Sequence, residues 1–285
     1  RPSVGKTAFA LNLARNAAVE FGEGVAFFSL EMTDMELTDR LIASESGISA
    51  DKLKGKVKMN PEEWVVLEQS IKRLVKAPLY IDETPGITLT EFTAKAKRLV
   101  REKGVKIIFV DYLQLMHSGK PQQGGFSKVQ EVTEISNTLK TTAKDLKVPI
   151  IALAQLNRNL MSRAGSNGKP VLSDLKDSGS IEQDADMVIF IHRPGMVGMS
   201  EDLTEAEILI AKNRSGKVGS IEMKYNGDLV RFEDVAPFYE SMMNAEPKPA
   251  QPVQKQNPAP AYDPTIPPPP SYNPFDEFSQ NDFIQ

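Results

Sequence analysis

The sharpest chemical signal in the chain is Arg1-Pro2-Ser3-Val4-Gly5-Lys6-Thr7. These residues fit the last seven positions of the phosphate-loop pattern G-x-x-x-x-G-K-[ST]. In such a loop, consecutive backbone N–H groups surround phosphate oxygens, and a glycine at position 5 lets the chain approach them closely. The Lys6 ammonium reaches the β- and γ-phosphates as a point charge. The Thr7 hydroxyl can ligate Mg²⁺, and the helix that starts here adds its dipole. Ser3, Val4, Gly5, Lys6, Thr7 and Ala8 are therefore candidate nucleotide-binding residues, with ATP and Mg²⁺ as the ligands. The metal's shell also needs a carboxylate. Ile107-Ile108-Phe109-Val110-Asp111 reads as a buried strand that delivers one, which makes Thr7 and Asp111 the candidate Mg²⁺ residues. A second carboxylate, Glu31, follows another apolar run and should reach the same sheet edge, where ligands of open α/β sheets gather.

The elements that must hold these groups follow from hydrophobic periodicity. Short, branched, apolar runs at 25–30, 79–81, 105–110, 149–153, 187–191 and 208–211 read as buried strands. Amphipathic stretches at 7–21, 34–46, 61–75, 90–102 and 129–146 read as helices. The alternation predicts an α/β fold of the P-loop type, a mainly parallel central sheet with helices on both faces. Asn226-Gly227 between two apolar runs is a hairpin signal, so the sheet is expected to end in antiparallel strands. The loop pattern also calls for a strand before it, so the chain is expected to begin inside a longer protein, its motor domain spanning 1–244. Beyond that, 245–285 holds 11 of the 20 prolines and reads as an extended, disordered tail ending in aromatics and acids.

Composition removes several alternatives. The 285 residues include no Cys and two His, which excludes disulfide frameworks, thiolate metal centres and thiol nucleophiles. His117 and His192 have no ligand spacing. Trp64 reads as packing rather than a base-stacking platform, and Met242-Met243 as a core cap. No apolar run approaches the ~20 residues of a membrane span, and nothing resembles a signal peptide, so a cytoplasmic location is expected. The net charge is −4, so any nucleic-acid contact must come from a local basic surface rather than from bulk charge.

Four segments, 1–7, 28–32 (FSLEM), 110–115 (VDYLQL) and 172–186 (LSDLKDSGSIEQDAD), together with 155–158 (QLNR) and 212–214 (KNR), resemble the C-terminal motor domain of DnaB-type replicative DNA helicases, a branch of the RecA-like ATPases. The resemblance covers 1–235 and none of the tail. It implies roles for each matched residue. Glu31 orients or deprotonates the attacking water, and Gln155 senses the γ-phosphate. Arg214, with Lys212 beside it, reaches the neighbouring subunit's ATP as an arginine finger, which requires a homohexameric ring. Lys176, Asp177 and Gly179 lie on a channel loop that holds single-stranded DNA by its backbone, the part of a nucleic acid that carries no sequence information. Ser178 to Ser180 can offer N–H donors there. In the family the loop at 116–127 also faces the channel, with a basic residue beyond it, for which Lys120 and Lys128 are the candidates. At Lys176 the family commonly has Arg, so the charge persists without the planar fork. Primase and a helicase loader are implied as partners through a preceding segment or the tail.

Two other readings share the phosphate loop: a RecA- or RadA-type recombinase, and a nucleotide-switched assembly ATPase that does not move DNA. The segment 172–186 favours the helicase over the recombinase.

Overall fold

The computed structural model describes residues 4–119, 127–156 and 168–235, with only the backbone at 176–178. All of these belong to one unit. The tail, Met242 and Met243 lie outside the described residues. The chain turns at Gly5 into α1 (Lys6–Arg15), which runs on through a π-turn at Asn16–Glu20. Then come β1 (Gly24–Ser29), α2 (Asp34–Ser46), α3 (Ala50–Leu53), α4 (Pro61–Lys76), β2 (Leu79–Asp82), α5 (Leu89–Lys103), β3 (Val105–Asp111), α6 (Lys128–Leu146) and β4 (Ile150–Ala152). After a 3₁₀ segment at Leu172–Ser178 follow α7 (Gly179–Asp184), β5 (Met187–His192), β6 (Glu205–Asn213), β7 (Gly219–Asn226) and β8 (Arg231–Asp234).

Local chemistry explains where the helices begin. Thr33 with Glu36, Asn60 with Glu63, and Ser127 with Gln130 form reciprocal capping boxes at α2, α4 and α6. Each satisfies backbone N–H groups that a helix start leaves without partners. Pro61 opens α4, where its missing N–H costs nothing.

The first sheet is parallel, in the order β2-β1-β3-β4. β1 is buried along its whole length, and its alternate residues serve two cores. Val25 and Phe27 join Phe109 beneath Ala10, Leu11 and Ala14 of α1 and Leu37 and Leu41 of α2. Ala26 and Phe28 join Ile108 and Val110 against Phe92 of α5 and Ile135 of α6. Helices on both faces are what a parallel sheet needs in order to be covered.

The remaining strands depart from expectation. They form a second, separate sheet, antiparallel throughout, in the order β5-β6-β7-β8. The hairpin at Asn226 is present, with Asn226 opposite Arg231. β5 and β6, however, run against each other, because 193–204 holds only a 3₁₀ turn at Pro194–Val197. A parallel pair needs a crossover of a dozen or more residues, usually a helix. Among the described residues β4 and β5 share no ladder. The cavity between them is about 550 Å³, lined by Ile150, Ala152 and Leu153 on one side and Val188, Ile189 and Phe190 on the other. The second sheet docks on α1 instead. Phe9 meets Phe232 edge-on at 5.4 Å, and buried Asn12 accepts the Phe232 N–H at 2.8 Å while donating to the Val230 carbonyl at 3.3 Å. No described helix is long and apolar enough to cross a membrane.

Candidate nucleotide site

Gly5 adopts φ +99°, a left-handed conformation that favours glycine, and immediately precedes α1. A Cβ there would sit 3.0 Å from the Phe232 ring and 3.6 Å from Tyr225. The first helical bond is Phe9 N–H to the Gly5 carbonyl, 2.8 Å. The N–H groups of Lys6, Thr7 and Ala8 therefore have no partners within the helix and are available to an anion. Ala8 can contribute only through its backbone, since its side chain is buried against Ala206, Ile208 and Phe232. Ser3 lies outside the described residues.

The carboxyl ends of the parallel strands converge on this turn. Ser29 pairs with Asp111 in register, and the Leu30 N–H donates to the Asp111 carbonyl at 2.8 Å. Glu31 and Asp111 thus leave β1 and β3 at the same edge. Glu31 is exposed, whereas Asp111 is buried. Burial raises the Asp111 pKa above the usual aspartate value. A hydrogen bond from Thr7 and the charge of Lys6 oppose that rise, and the negative charge of Glu31 adds to it. Burial likewise lowers the Lys6 pKa, against the charges of Asp111 and Glu31. The Lys6 Nζ and one Asp111 oxygen, Oδ2, are buried with no hydrogen-bond partner. Buried polar atoms are rarely left this way. A cation and a carboxylate whose charges act on each other, each with unused capacity, fit an anionic ligand that carries its own cation.

The residues present fit Mg²⁺ in that form. No group of three or more His, Cys, Asp or Glu among the described residues could enclose a metal. Mg²⁺ is commonly bound through one or two protein oxygens, with phosphates and water completing its octahedron. Thr7 and Asp111 would hold it. Such an ion would neutralise charge on the transferring phosphate.

Gln155 emerges beyond β4, next to the end of β3, so the strand order brings Glu31, Asp111 and Gln155 to one edge. Lys212 and Arg214 do not join them within the chain. Lys212 Nζ donates to the carbonyls of Glu182 and Gln183, and Arg214 pairs with Asp186 at 3.2 Å. The charges acting on Asp111 are those of Glu31, Lys6 and Arg40, without Arg214.

Residues 1–234 match the sequence profile described as "DnaB-like helicase C terminal domain". The chain belongs to this family. A replicative DNA helicase DnaB from Geobacillus stearothermophilus is 44% identical over 81% of this chain and 50% of that protein. A replicative DNA helicase DnaC from Bacillus subtilis is 43% identical over the same shares. The chain spans about half the length of these curated relatives. Two solved structures superpose with a TM-score of 0.75 at 34% identity. One is an isolated ATPase domain, with 82% of each chain covered. The other is a DnaB-like replicative helicase described with its primase interactions, covering 82% of this chain and 56% of that one.

Other predicted residues of the DnaB-like domain fall less simply. The segment carrying Lys176, Asp177 and Gly179 is helical rather than a loop, 3₁₀ through Ser178 and α7 from Gly179. The side chains of Lys176 and Asp177 lie outside the described part of the structure. Gly179 is exposed, and a Cβ there would meet nothing. The Ser180 hydroxyl is buried and does not face solvent. Lys120 lies outside the described residues, and Lys128 is engaged with Glu131 at 3.0 Å. His117 lies 3.5 Å from Glu131 and His192 is buried. Trp64 is 56% exposed, so it does not pack in the core.

Sequence reasoning missed the wall behind the phosphate loop. The Arg193 guanidinium stacks 4.1 Å over the Tyr225 ring, Tyr225 lies 4.8 Å from Phe232, and both rings abut Gly5. No local spacing announces this group. The β-register and the docking of β8 on α1 assemble it from distant parts of the chain.

Proposed function

We propose that this chain is the ATP-hydrolysing motor of a replicative DNA helicase, driving translocation along single-stranded DNA and unwinding of duplex at the fork. The observation that carries the reading is the pair of orphaned buried groups, Lys6 Nζ and Asp111 Oδ2, beneath a left-handed glycine turn and a free helix start. Backbone N–H groups from Val4 to Ala8 bind the phosphates, and Lys6 neutralises the β- and γ-oxygens. Thr7 and Asp111 hold Mg²⁺. Glu31, exposed at the same edge, orients the attacking water and takes its proton. Gln155 reads the γ-phosphate as a neutral amide.

Arg214 and Lys212 act on the neighbouring copy's nucleotide. Their attachment to Asp186 and to the end of α7, with Arg214 absent from the charges that act on Asp111, supports action in trans. Action in trans needs a head-to-tail contact between copies, which closes into a ring in the homohexamer read here. Lys176, Asp177 and Gly179 hold the DNA backbone. Primase and a loader are the expected partners, in the cytoplasm. The motor domain spans 1–244, ahead of a Pro-rich tail.

The test is ATP turnover of the full-length protein with and without single-stranded DNA, with Lys6→Ala as control. Turnover that DNA accelerates and Lys6→Ala abolishes is expected. Turnover indifferent to DNA would favour the assembly ATPase, and open filaments rather than rings under electron microscopy would favour the recombinase.

A further inference from the structure

Gln114 lies three residues beyond Asp111, where the chain has already left the sheet. β3 and β4 are joined by a parallel ladder as far as Leu153. The Leu153 N–H donates to the Val110 carbonyl at 2.9 Å, and the Leu113 N–H donates to the Leu153 carbonyl at 3.0 Å. The next rung would have to serve Gln155. By then the chain beyond β3 has turned into a 3₁₀ turn, Leu113–Leu115, and presents no extended backbone. The side chain of Gln114 fills the place. Its Oε1 accepts the Gln155 N–H at 3.2 Å, and its Nε2 donates to the Gln155 carbonyl at 3.1 Å. A primary amide offers the same acceptor and donor as a peptide group, so a side chain supplies the last rung.

The connection continues into α6. The Gln114 carbonyl accepts from Lys128 Nζ at 3.3 Å, and Lys128 pairs with Glu131 in the first turn of that helix. Further along α6, the Ser136 hydroxyl donates to Asp184 of α7 at 2.6 Å. One turn beyond that, Lys140 pairs with Asp186, which also holds Arg214.

We propose that Gln114 is a positioning residue. Its amide fixes the backbone of Gln155, and so the aim of the Gln155 side chain, and it passes any displacement of Gln155 to α6 and from there to the segment that carries Gly179 and to Arg214. This rests on the reading of Gln155 as the γ-phosphate sensor. A hydrophobic replacement of similar size, Gln114→Leu, removes both bonds. Gln114→Glu keeps the acceptor for the Gln155 N–H and loses the donor, and serves as the second variant should Gln114→Leu fold poorly.

The experiment measures KM for ATP and kcat, with and without single-stranded DNA, in the full-length protein carrying Gln114→Leu, Gln114→Glu, Gln155→Ala and the two double variants. Either Gln114 variant is expected to leave KM within about twofold and to lower DNA-stimulated kcat by about tenfold or more, yet to cost nothing further in the Gln155→Ala background, where the residue it positions is gone. Full additivity in the double variants overturns the proposal, as does undiminished DNA stimulation in both Gln114 variants. The controls separate this from the underlying reading. If the unaltered protein ignores DNA, or Gln155→Ala turns over at the unaltered rate, the sensor assignment fails, and this proposal fails with it.

Discussion

At the scale of single residues, the decisive pair is Lys6 and Asp111. They lie close enough for each charge to act on the other, yet Lys6 Nζ and Asp111 Oδ2 remain without hydrogen bonds. An unpartnered carboxylate oxygen removed from water is costly, so this arrangement is maintained against the fold's own stability. Asp111→Asn should therefore raise the stability of the nucleotide-free protein by about 1 kcal/mol, roughly 2–4 °C in melting temperature. The same change should lower ATP turnover about a hundredfold or more, because it removes a charge needed around the transferring phosphate. The pH dependence has a definite sign. With its folded pKa raised, Asp111 takes up a proton in the folded state first. Between the unfolded value, about 3.9, and the raised one, this group makes the nucleotide-free fold more stable as pH falls. Asp186 is the opposite case. Its hydrogen bond from Lys140 lowers its pKa, so its contribution is lost as pH falls through that lowered value. Thermal melts against pH should show the advantage of Asp111→Asn narrowing in acid; a constant gap would count against the burial account.

At the scale of elements, the segment 172–184 matters most. The resemblance implies a channel loop there, yet the segment folds as a 3₁₀ segment running into α7. Packing on α6 explains the difference, with Ile181 against the apolar core and Ser136 bonded to Asp184. Lys176→Ala is expected to weaken binding of single-stranded DNA uniformly across sequences and to flatten the salt dependence by about 0.7 in log–log slope for each phosphate released. Basal hydrolysis should be unaffected. Titrations of a labelled oligonucleotide at several salt concentrations measure this directly, and an unchanged slope would remove Lys176 from the DNA path.

At the scale of the whole molecule, the proposed division of each site between neighbouring copies can be tested by mixing subunits. Glu31, Lys6, Thr7 and Asp111 share one sheet edge, while Arg214 is tied to Asp186 at the end of the other sheet. If neighbouring copies complete each other's sites, Glu31→Gln and Arg214→Ala subunits, each inactive alone, should regain activity when mixed. At equal proportions about a quarter of interfaces join an intact Glu31 to an intact Arg214, so recovery of roughly a quarter of turnover is expected for a cyclic assembly. No recovery in assemblies shown to contain both subunits would argue against action in trans.

Much of this was readable along the chain. The order Gly5-Lys6-Thr7 and the apolar run ending at Asp111 rest on contacts within a few residues, where spacing alone carries the chemistry. The parallel sheet followed from alternating apolar runs, because a strand buried on both faces must be apolar throughout. What needed the tertiary structure was everything joined across long separations. The antiparallel pairing of β5 with β6 came from a connection that holds no crossover helix. The Arg193–Tyr225–Phe232 wall behind Gly5 and the Gln114 amide beneath Gln155 depend on strand register and docking, which no local pattern encodes. The orphaned state of Lys6 and Asp111 is likewise a property of burial, and burial is decided only when distant elements close over a site.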